Sequence, residues 1–283
     1  MAILALPPAN PNETAPARAA LPADPTPGPV WGIDFLSQAV DGLARYPDGW
    51  DVEGLCWTPY ECGPVTLTEI CSDKEPEPAE CVVPDCTRCT ALPFEIQADT
   101  LDRTCLPGDR EQYARDQVAL NTPLAMAARA HALIRTNPNI VDVTGDNGPL
   151  SCCKGAGVLR ANRVGRTALH IPEEEIDCAT GCNLISYQGG RQIDGLGARA
   201  YAVPGYPNIG PDGTTPTDGS FWMYGTSPYI DYGLTPIESS SDFGKDGARQ
   251  STRFPWARRR GLIRIECTQV FAVNVTSCGA CCK

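Results

Sequence analysis

The sequence predicts an α+β fold that is rich in β-strands and has few helices, and three observations predict it. The stretch 261–276 alternates apolar and polar residues with a period of two, which is the pattern of a half-buried strand. The 27 glycines and 27 prolines favour long irregular connections over helix. The best helical pattern is confined to residues 109–136.

The length, charge and apolar runs of the chain limit the classes of protein to which it can belong. At 283 residues the chain can bury a core, either as one large domain or as two modest ones. The net charge of −11 argues against nucleic acid as a general partner, because that binding depends on neutralising phosphates. No apolar run approaches the roughly 20 residues of a membrane helix, so we expect no membrane partner. The opening MAILALPP lacks a basic region, and we expect no signal peptide.

The composition divides the chain into three segments. Residues 1–30 contain eight prolines and no aromatic residue, which predicts a flexible N-terminal arm that becomes functional when it docks on a neighbour. Residues 31–106 are predicted to form a short amphipathic helix over 31–46, followed by a cysteine-rich extended excursion. Residues 107–283 are predicted to form the α+β core, with the long strand near the C-terminus.

The long helical pattern has a start signal and an interruption. Asp109 is a suitable N-cap, and Glu111 follows in the first turn, where the helix dipole favours an acidic side chain. Pro123 is expected to break or kink the helix, because proline removes a backbone donor and clashes with the preceding turn. Thr122 would then cap a second helical segment that has Pro123 at its first position.

The alternating stretch 261–276 is the strongest structural signal. One parity holds Ile263, Ile265, Cys267, Phe271, Val273 and Val275. Sixteen residues at about 3.3 Å each would span about 50 Å, so the strand must bend, bulge or run through two parts of an assembly. We expect Phe271 and Val273 to face the interior together with Ile265, and Glu266 to face the opposite side.

Fifteen cysteines suggest a disulfide framework, and the odd count leaves at least one thiol free or paired between chains. A zinc site is the alternative interpretation. Two pairs have the two-residue spacing that lets two thiolates share one tetrahedral ion, namely Cys86 with Cys89 and Cys278 with Cys281. Most of the chain separates the two pairs, so the disulfide interpretation is favoured and no metal site is predicted.

The sequence predicts no catalytic or cofactor-binding residue. It has no phosphate-binding glycine loop, no nucleophile elbow and no HExxH motif. His131 lies on the apolar face of the helical pattern and is expected to be a satisfied core residue. His170 precedes Pro172 and three acidic residues, which favours a solvated helix start over acid–base chemistry.

Basic and aromatic clusters also have two interpretations each. Arg258, Arg259 and Arg260 are expected to form salt bridges between subunits, and the alternative is contact with packaged DNA. Seven aromatic residues lie between 201 and 232 and are expected to pack across a sheet, in preference to forming a carbohydrate platform.

Several segments resemble, in the same order, virion structural proteins of actinobacterial tailed phages. The segments are 31–36 (WGIDFL), 44–47 (ARYP), 93–96 (PFEI), 169–172 (LHIP), 203–213 (VPGYPNIGPDG) and 222–228 (WMYGTSP). The end of the chain, with a proline- and glycine-rich loop, a strand and a terminal strand containing Phe-Ala-Val, resembles the shell proteins of these phages.

The resemblance implies a Hong Kong 97-like capsid fold. In that family a flexible arm, an extended loop, a long spine helix and a long bent β-hairpin let one chain tile an icosahedral lattice. It implies a non-enzymatic major capsid protein of the phage head, assembled in the host cytoplasm, whose partners are copies of itself and other virion proteins. Two alternatives stay open, namely a minor head, decoration or tail component and a cysteine-stapled extracellular binding module. An enzyme is disfavoured by the missing motifs.

Overall fold

The protein is an α+β structure dominated by strands, which confirms the predicted class. The computed structural model describes residues 35–41, 46, 48–57, 89–99, 110–146, 148–162, 166–181, 183–188, 191–217, 219–228, 230–244, 252–267 and 269–277. The helices are α1 (Phe35–Gln38), α2 (Trp50–Glu53), α3 (Arg110–Arg135), α4 (Cys152–Asn162) and α5 (Ile176–Gly181), with a 3-10 turn at Glu173–Glu175 before α5. The predicted arm and most of the cysteine-rich excursion lie outside the described residues.

Fourteen described strands form two five-stranded sheets and two small ribbons. The strands are β1 (Val40–Asp41), β2 (Leu55–Trp57), β3 (Cys89–Ala91), β4 (Phe94–Asp99), β5 (Ile140–Asp142), β6 (Ala168–Ile171), β7 (Ile185–Gln188), β8 (Arg191–Asp194), β9 (Ala200–Ala202), β10 (Ser220–Thr226), β11 (Ile230–Leu234), β12 (Glu238–Gly244), β13 (Thr252–Ile265) and β14 (Val270–Thr276). One sheet contains β1, β4, β11, β12 and β13. The other has the order β5-β14-β10-β6-β9, and the ribbons are β2–β3 and β7–β8.

The first sheet is built around a long hairpin. Gly261 of β13 pairs with both Leu234 and Phe94, so β4 lies on one edge of β13 and β11 on the other. Arg258 likewise pairs with both Glu238 and a residue of β4, which places β12 on the same edge as β11. Residues 230–244 therefore run antiparallel to residues 252–265 as one limb of a hairpin.

The hairpin contains a bulge. Eight residues separate Ile230 from Glu238, whereas seven separate their partners Ile265 and Arg258, so the first limb has one extra residue. The bulge lies around Thr235, whose N–H donates to the Arg260 carbonyl at 2.9 Å and whose hydroxyl accepts from the Arg260 N–H at 2.8 Å. A bulge of this kind bends the strand and increases its twist.

Helix α3 lies across one face of β13 and buries a continuous apolar stripe. The buried side chains are Ala114, Val118, Met126, Ala127, Ala130 and Ile134, which share the first core with Ala257, Ile263 and Ile265. The stripe follows the helical period of 3.6 residues, which is why the sequence pattern located this helix correctly.

The expected break at Pro123 is wrong, because α3 is one continuous helix from Arg110 to Arg135, whereas the alternative of a kink stays a prediction. Proline within a helix costs about 3 kcal/mol. Val118 and Met126 on either side of it are fully buried, and each such side chain contributes about 1.5–3 kcal/mol. The Thr122 hydroxyl donates to the Val118 carbonyl at 2.6 Å and so does not cap a second segment. Tertiary packing therefore outweighs the local preference.

The second core lies between α4 and the second sheet. It includes Cys152, Ala156 and Leu159 of α4, together with Met223 of β10 and Val273 of β14. Gly155 allows this close packing, because a Cβ at this position would overlap Val275. The helix and the strand can approach only where the side chain is missing.

The stretch 261–276 is two strands and not one. β13 ends at Ile265, and β14 begins at Val270 in the other sheet. Before the break Ile263 and Ile265 face the first core, whereas after it Phe271 and Val273 face the second core. Phe271 and Val273 are buried as predicted, but they do not share a core with Ile265, because the break reorients the chain between two sheets.

The helix predicted over 31–46 is wrong in its extent. Only the single turn of α1 is present in its described part, and Val40–Asp41 pair in parallel with Asp231 and Tyr232 of β11. Backbone pairing to a strand distant in sequence replaces the helical hydrogen bonds there. Two strands of the 31–106 segment, β1 and β4, belong to the first sheet.

Candidate functional site

Both histidines lie in the core, where they meet around Tyr206. The His131 and Tyr206 rings are 5.4 Å apart between centroids, and the His170 and Tyr206 rings are 5.7 Å apart. His170 is 1% exposed, and its Nδ1 and Nε2 lie 3.2 Å from Tyr206 Oη and 2.8 Å from Thr226 Oγ1. The expected solvated position of His170 is therefore wrong, because β6 carries it into the core.

His131 is buried as expected, at 3% exposed, but its Nε2 has no hydrogen-bond partner. Burial, with a smaller contribution from the positive charge of Arg135, lowers the pKa of His131 from 6.5 to about 4. Burial also raises the pKa of Tyr206 well above its ordinary value. His131 is therefore uncharged at neutral pH and Tyr206 keeps its proton, which does not suit these two groups to acid–base catalysis.

We expect the chain to lose stability as the pH falls from about 6.5 to about 4. His131 is neutral in the folded state above its pKa of about 4, whereas in the unfolded chain it accepts a proton below 6.5. Protonation therefore favours the unfolded state, by up to about 3 kcal/mol at the acid end of this range. Denaturant midpoints at neutral pH and at about pH 4 measure the effect. The variant His131→Gln should show a smaller fall, and an equal fall in both proteins would contradict the assignment.

Arg258, Arg259 and Arg260 lie on β13, where each contacts a group of the same chain. The contacts are Arg258 with Glu238 at 3.3 Å and Glu95 at 3.6 Å, Arg260 with Asp51 at 3.1 Å, and Arg259 with the Thr235 carbonyl at 2.7 Å. The side chains of Arg258 and Arg260 are more than one third exposed. Ion pairs this exposed contribute about 0–1 kcal/mol each. These partners lie within the chain, whereas partners in another subunit or in packaged DNA were expected from the sequence.

A buried charge cluster lies at the end of the same strand. Arg264 is 3.0 Å from Asp231, which also accepts a hydrogen bond from Tyr46 Oη at 2.7 Å. Trp57 Nε1 donates to Glu266 at 3.3 Å, and the Arg264 guanidinium lies 5.6 Å from the centroid of the Trp57 ring. Asp231 is 7% exposed and Glu266 only 2% exposed. Glu266 lies with Trp57 on the side opposite Ile265, as expected, but that side of the chain is also buried here.

The sequence pattern did not reveal this cluster. Tyr46, Trp57 and Asp231 come from three segments that only the fold brings to β13. Burial, and secondarily the hydrogen bond to Asp231, raises the pKa of the Tyr46 hydroxyl above its ordinary value, so the phenol stays a donor. Glu266 is buried because the chain leaves β13 at this residue and passes beneath the ribbon formed by β2 and β3.

Cys89 forms a disulfide with Cys267, with a Cα–Cα distance of 5.6 Å. The bridge connects residues 178 positions apart. Cys152 is also disulfide-bonded, whereas Cys56 and Cys153 are exposed free thiols in the described part of the chain. Cys89 is thus not a free thiolate ligand, and the other three cysteines of the zinc alternative, Cys86, Cys278 and Cys281, lie outside the described residues.

The Cys89–Cys267 bridge lies at an open pocket of about 470 Å³. The pocket is lined by β2, β3, the end of α3 and its following turn, and β13. Besides the two cysteines, the lining residues that matter here are Trp57, Thr136, Asn139 and Ile265. Asn139 Nδ2 donates to the Cys267 carbonyl at 3.0 Å and fixes the turn against the bridge.

The aromatic residues between 201 and 232 pack inside the structure. Tyr201, Tyr206, Phe221 and Tyr224 are each at most 2% exposed, and Trp222 and Tyr232 are partly buried against the first core. The packing prediction is therefore confirmed for these six, and Tyr229 lies outside the described residues. Within the described ranges no group of three metal-ligating side chains occurs, and no helix there is long and apolar enough to cross a membrane.

Comparison with known proteins finds similarity at the level of structure. The sequence matches no family model and no curated protein. The capsid of Ralstonia phage GP4 is 7% identical, with a TM-score of 0.45 over 79% of this chain and 82% of that chain. The capsid of an empty GTA particle is 12% identical, with a TM-score of 0.44 over 95% of each chain. An encapsulin of Synechococcus elongatus is 12% identical, with a TM-score of 0.36 over 85% and 91%. Capsids recur among the similar structures.

Proposed function

We propose that the chain is a major capsid protein of a tailed phage that builds the icosahedral head shell by self-assembly. The observation that carries the proposal is the long bent hairpin of residues 230–244 and 252–265, with the 26-residue α3 across one face. A 14-residue strand reaches about 45 Å and a 26-residue helix about 39 Å, so both elements extend well along the molecule. They match the spine helix and bent hairpin that the sequence resemblance implies for a shell protein.

The proposal includes no catalytic activity and no cofactor. The absence of catalysis from the proposal is supported by where the groups capable of acid–base chemistry lie in the fold. His131 and His170 are buried in the core, and the buried carboxylates Asp194 and Asp231 are engaged by arginines, Arg160 at 2.7 Å and Arg264 at 3.0 Å. These groups stabilise the fold, and in a shell protein they keep the subunit rigid.

Contact with packaged DNA through Arg258, Arg259 and Arg260 stays a prediction within this proposal, as do assembly in the host cytoplasm and contacts with other virion proteins. The pairing of Arg258 and Arg260 with carboxylates reduces the positive charge that they could present to phosphates. A DNA contact would have to compete with those ion pairs. We therefore place the main assembly contacts between copies of the chain.

Sedimentation of the purified full chain tests the proposal. A shell protein is expected to form closed particles or capsomers of defined size, whereas a cysteine-stapled binding module or decoration component stays small. Electron micrographs of the fast-sedimenting fraction should show hollow shells. A chain that remains a monomer at high concentration, with and without salt, would overturn the proposal in favour of the binding module.

Deleting residues 2–28 is expected to leave a folded chain that no longer assembles. The proline-rich arm cannot bury a core of its own, and the described core begins with Phe35, which is fully buried. Thermal melting followed by circular dichroism should therefore match that of the full chain, while sedimentation should show only small species. An unfolded truncated protein would show that the arm is part of the core.

A further inference from the structure

The two cysteines of the Cys89–Cys267 bridge differ in exposure. Cys89 is 1% exposed, on the covered face of the β2–β3 ribbon, whereas Cys267 is partly exposed in the irregular segment after β13. Both line the open pocket of about 470 Å³, which is large enough to admit a small thiol. The Cys267 N–H donates to Cys89 Sγ at 3.1 Å. Both cysteines therefore border the pocket, Cys267 is the more exposed of the two, and a backbone N–H is directed at Cys89 Sγ.

We propose that this bridge is a reversible redox latch, which small-molecule thiols open through the pocket by attack on Cys267 Sγ. Cys267 is then a site of modification by thiols of the size of glutathione. Cys89 Sγ is the leaving group, and the Cys267 N–H stabilises the thiolate that forms there. The inference is independent of the proposed shell function, because it rests only on the bridge and its surroundings.

The chemistry is two successive thiol–disulfide exchanges. The first thiolate forms a bond to Cys267 Sγ, the bridge breaks, and its electron pair leaves with Cys89 Sγ, which then takes a proton from water. The second thiolate attacks the sulfur of the bound small thiol and releases Cys267 as a thiol. The bridge gains two electrons and two protons, and two small thiols are oxidised to one disulfide.

The chain does not open this bridge with its nearest described free thiol. In the β2–β3 ribbon Trp57 pairs with Cys89, and Cys56 pairs with Thr90. Residues that pair directly lie on the same face, so Cys56 and Cys89 point to opposite faces of the ribbon. Cys56 is exposed on the outer face, away from the bridge. Among the described thiols Cys56 is thus excluded, and we assign the attack to a thiol from solution that enters through the pocket.

Reduction of the Cys89–Cys267 bridge removes one covalent connection and leaves the core packed. The bridge connects β3, and so one end of the segment 58–88, to the end of β13. The hydrogen bond from Trp57 to Glu266 and the contact of Arg264 with Trp57 still hold the ribbon after reduction. The expected consequence is faster opening of the ribbon while α3 stays packed.

The first experiment uses the oxidised full chain and reduced glutathione under native conditions. Acid quenching and peptide mapping should find the mixed disulfide on Cys267 and a free thiol on Cys89. Hydrogen exchange in Cys89→Ser, which removes this bridge and leaves the disulfide at Cys152, should be faster than in the parent chain in β2 and β3 and unchanged in α3. A mixed disulfide on Cys89, or exchange that accelerates throughout the chain, would overturn the proposal.

A matched pair of variants tests the asymmetry directly. Cys89→Ser leaves the Cys267 thiol, and Cys267→Ser leaves the Cys89 thiol, so each is treated with glutathione disulfide. Modification of Cys267 is expected to be at least about tenfold faster than that of Cys89, because access limits thiol exchange. The exposed Cys56 is the internal reference in both proteins. Equal rates, or no reaction at either sulfur while Cys56 reacts, would contradict the assignment.

The pocket itself is tested with Thr136→Trp, which places a large side chain on its exposed rim. In the background of Cys89→Ser, this change should slow modification of Cys267 by about tenfold and leave Cys56 unaffected, since only the route to the bridge is narrowed. An unchanged rate at Cys267 would show that the thiol does not enter through this pocket.

Discussion

Phe271→Ala is expected to lower the free energy of unfolding by about 3–5 kcal/mol. The Phe271 side chain is 7% exposed in the second core, and it lies opposite Gly225, which places no side chain on that face of the sheet. Removing the ring leaves a cavity that the rigid strands around it cannot close. A loss of this size is a large fraction of the stability of an ordinary domain. Denaturant midpoints of the variant and the parent chain measure it.

Val141→Ala is the matched control for Phe271→Ala. Val141 pairs with Phe271 on the same face of the second sheet, but it is 48% exposed. Its truncation should change the free energy of unfolding by less than about 1 kcal/mol. Similar losses in the two variants would show that the edge strand β5 is as well packed as β14. A loss below about 1 kcal/mol for Phe271→Ala would show that its ring does not contribute to the core.

Asp231→Ala is expected to lower the free energy of unfolding by about 3–5 kcal/mol. It removes the carboxylate that Arg264 approaches to 3.0 Å and the acceptor of the Tyr46 hydroxyl. The guanidinium side chain is only 15% exposed, so water replaces the lost partner poorly. Chemical denaturation at neutral pH and low salt measures the difference from the parent chain.

Two variants separate charge from hydrogen bonding in this cluster. Asp231→Asn keeps an acceptor for Tyr46 but removes the negative charge. Its free energy of unfolding should therefore lie between that of the parent chain and that of Asp231→Ala. Arg258→Ala removes exposed ion pairs of the same hairpin and should cost no more than about 1 kcal/mol. If Arg258→Ala were as destabilising as Asp231→Ala, burial would not be what distinguishes the two pairs.

Three structural features occur together at the break between β13 and β14. Within four residues the chain passes from one sheet to the other, buries Glu266 against Trp57, and forms the disulfide at Cys267. In the proposed shell protein, this segment ties the hairpin to the second core. A rigid connection there would transmit force between copies without letting the two sheets separate.

Features that depend on neighbouring residues could be predicted from the sequence. Alternation along 261–276 predicted one extended strand with Phe271 and Val273 buried, because successive side chains of an extended chain point to opposite faces. The apolar period of the 109–136 stretch located α3. Glycine and proline content predicted long irregular connections and little helix, and aromatic residues flanked by turns predicted packing across a sheet, because these preferences act over a few residues.

Contacts between residues distant in sequence became known from the folded structure. It kept α3 continuous through Pro123, since core packing outweighs one lost hydrogen bond. It divided 261–276 between two sheets and buried Glu266, because a donor from Trp57 lies 209 residues away in sequence. It also selected Cys267 as the partner of Cys89, 178 residues away. These outcomes depend on contacts between segments distant in sequence, and no local period or composition records which segments the folded chain brings together.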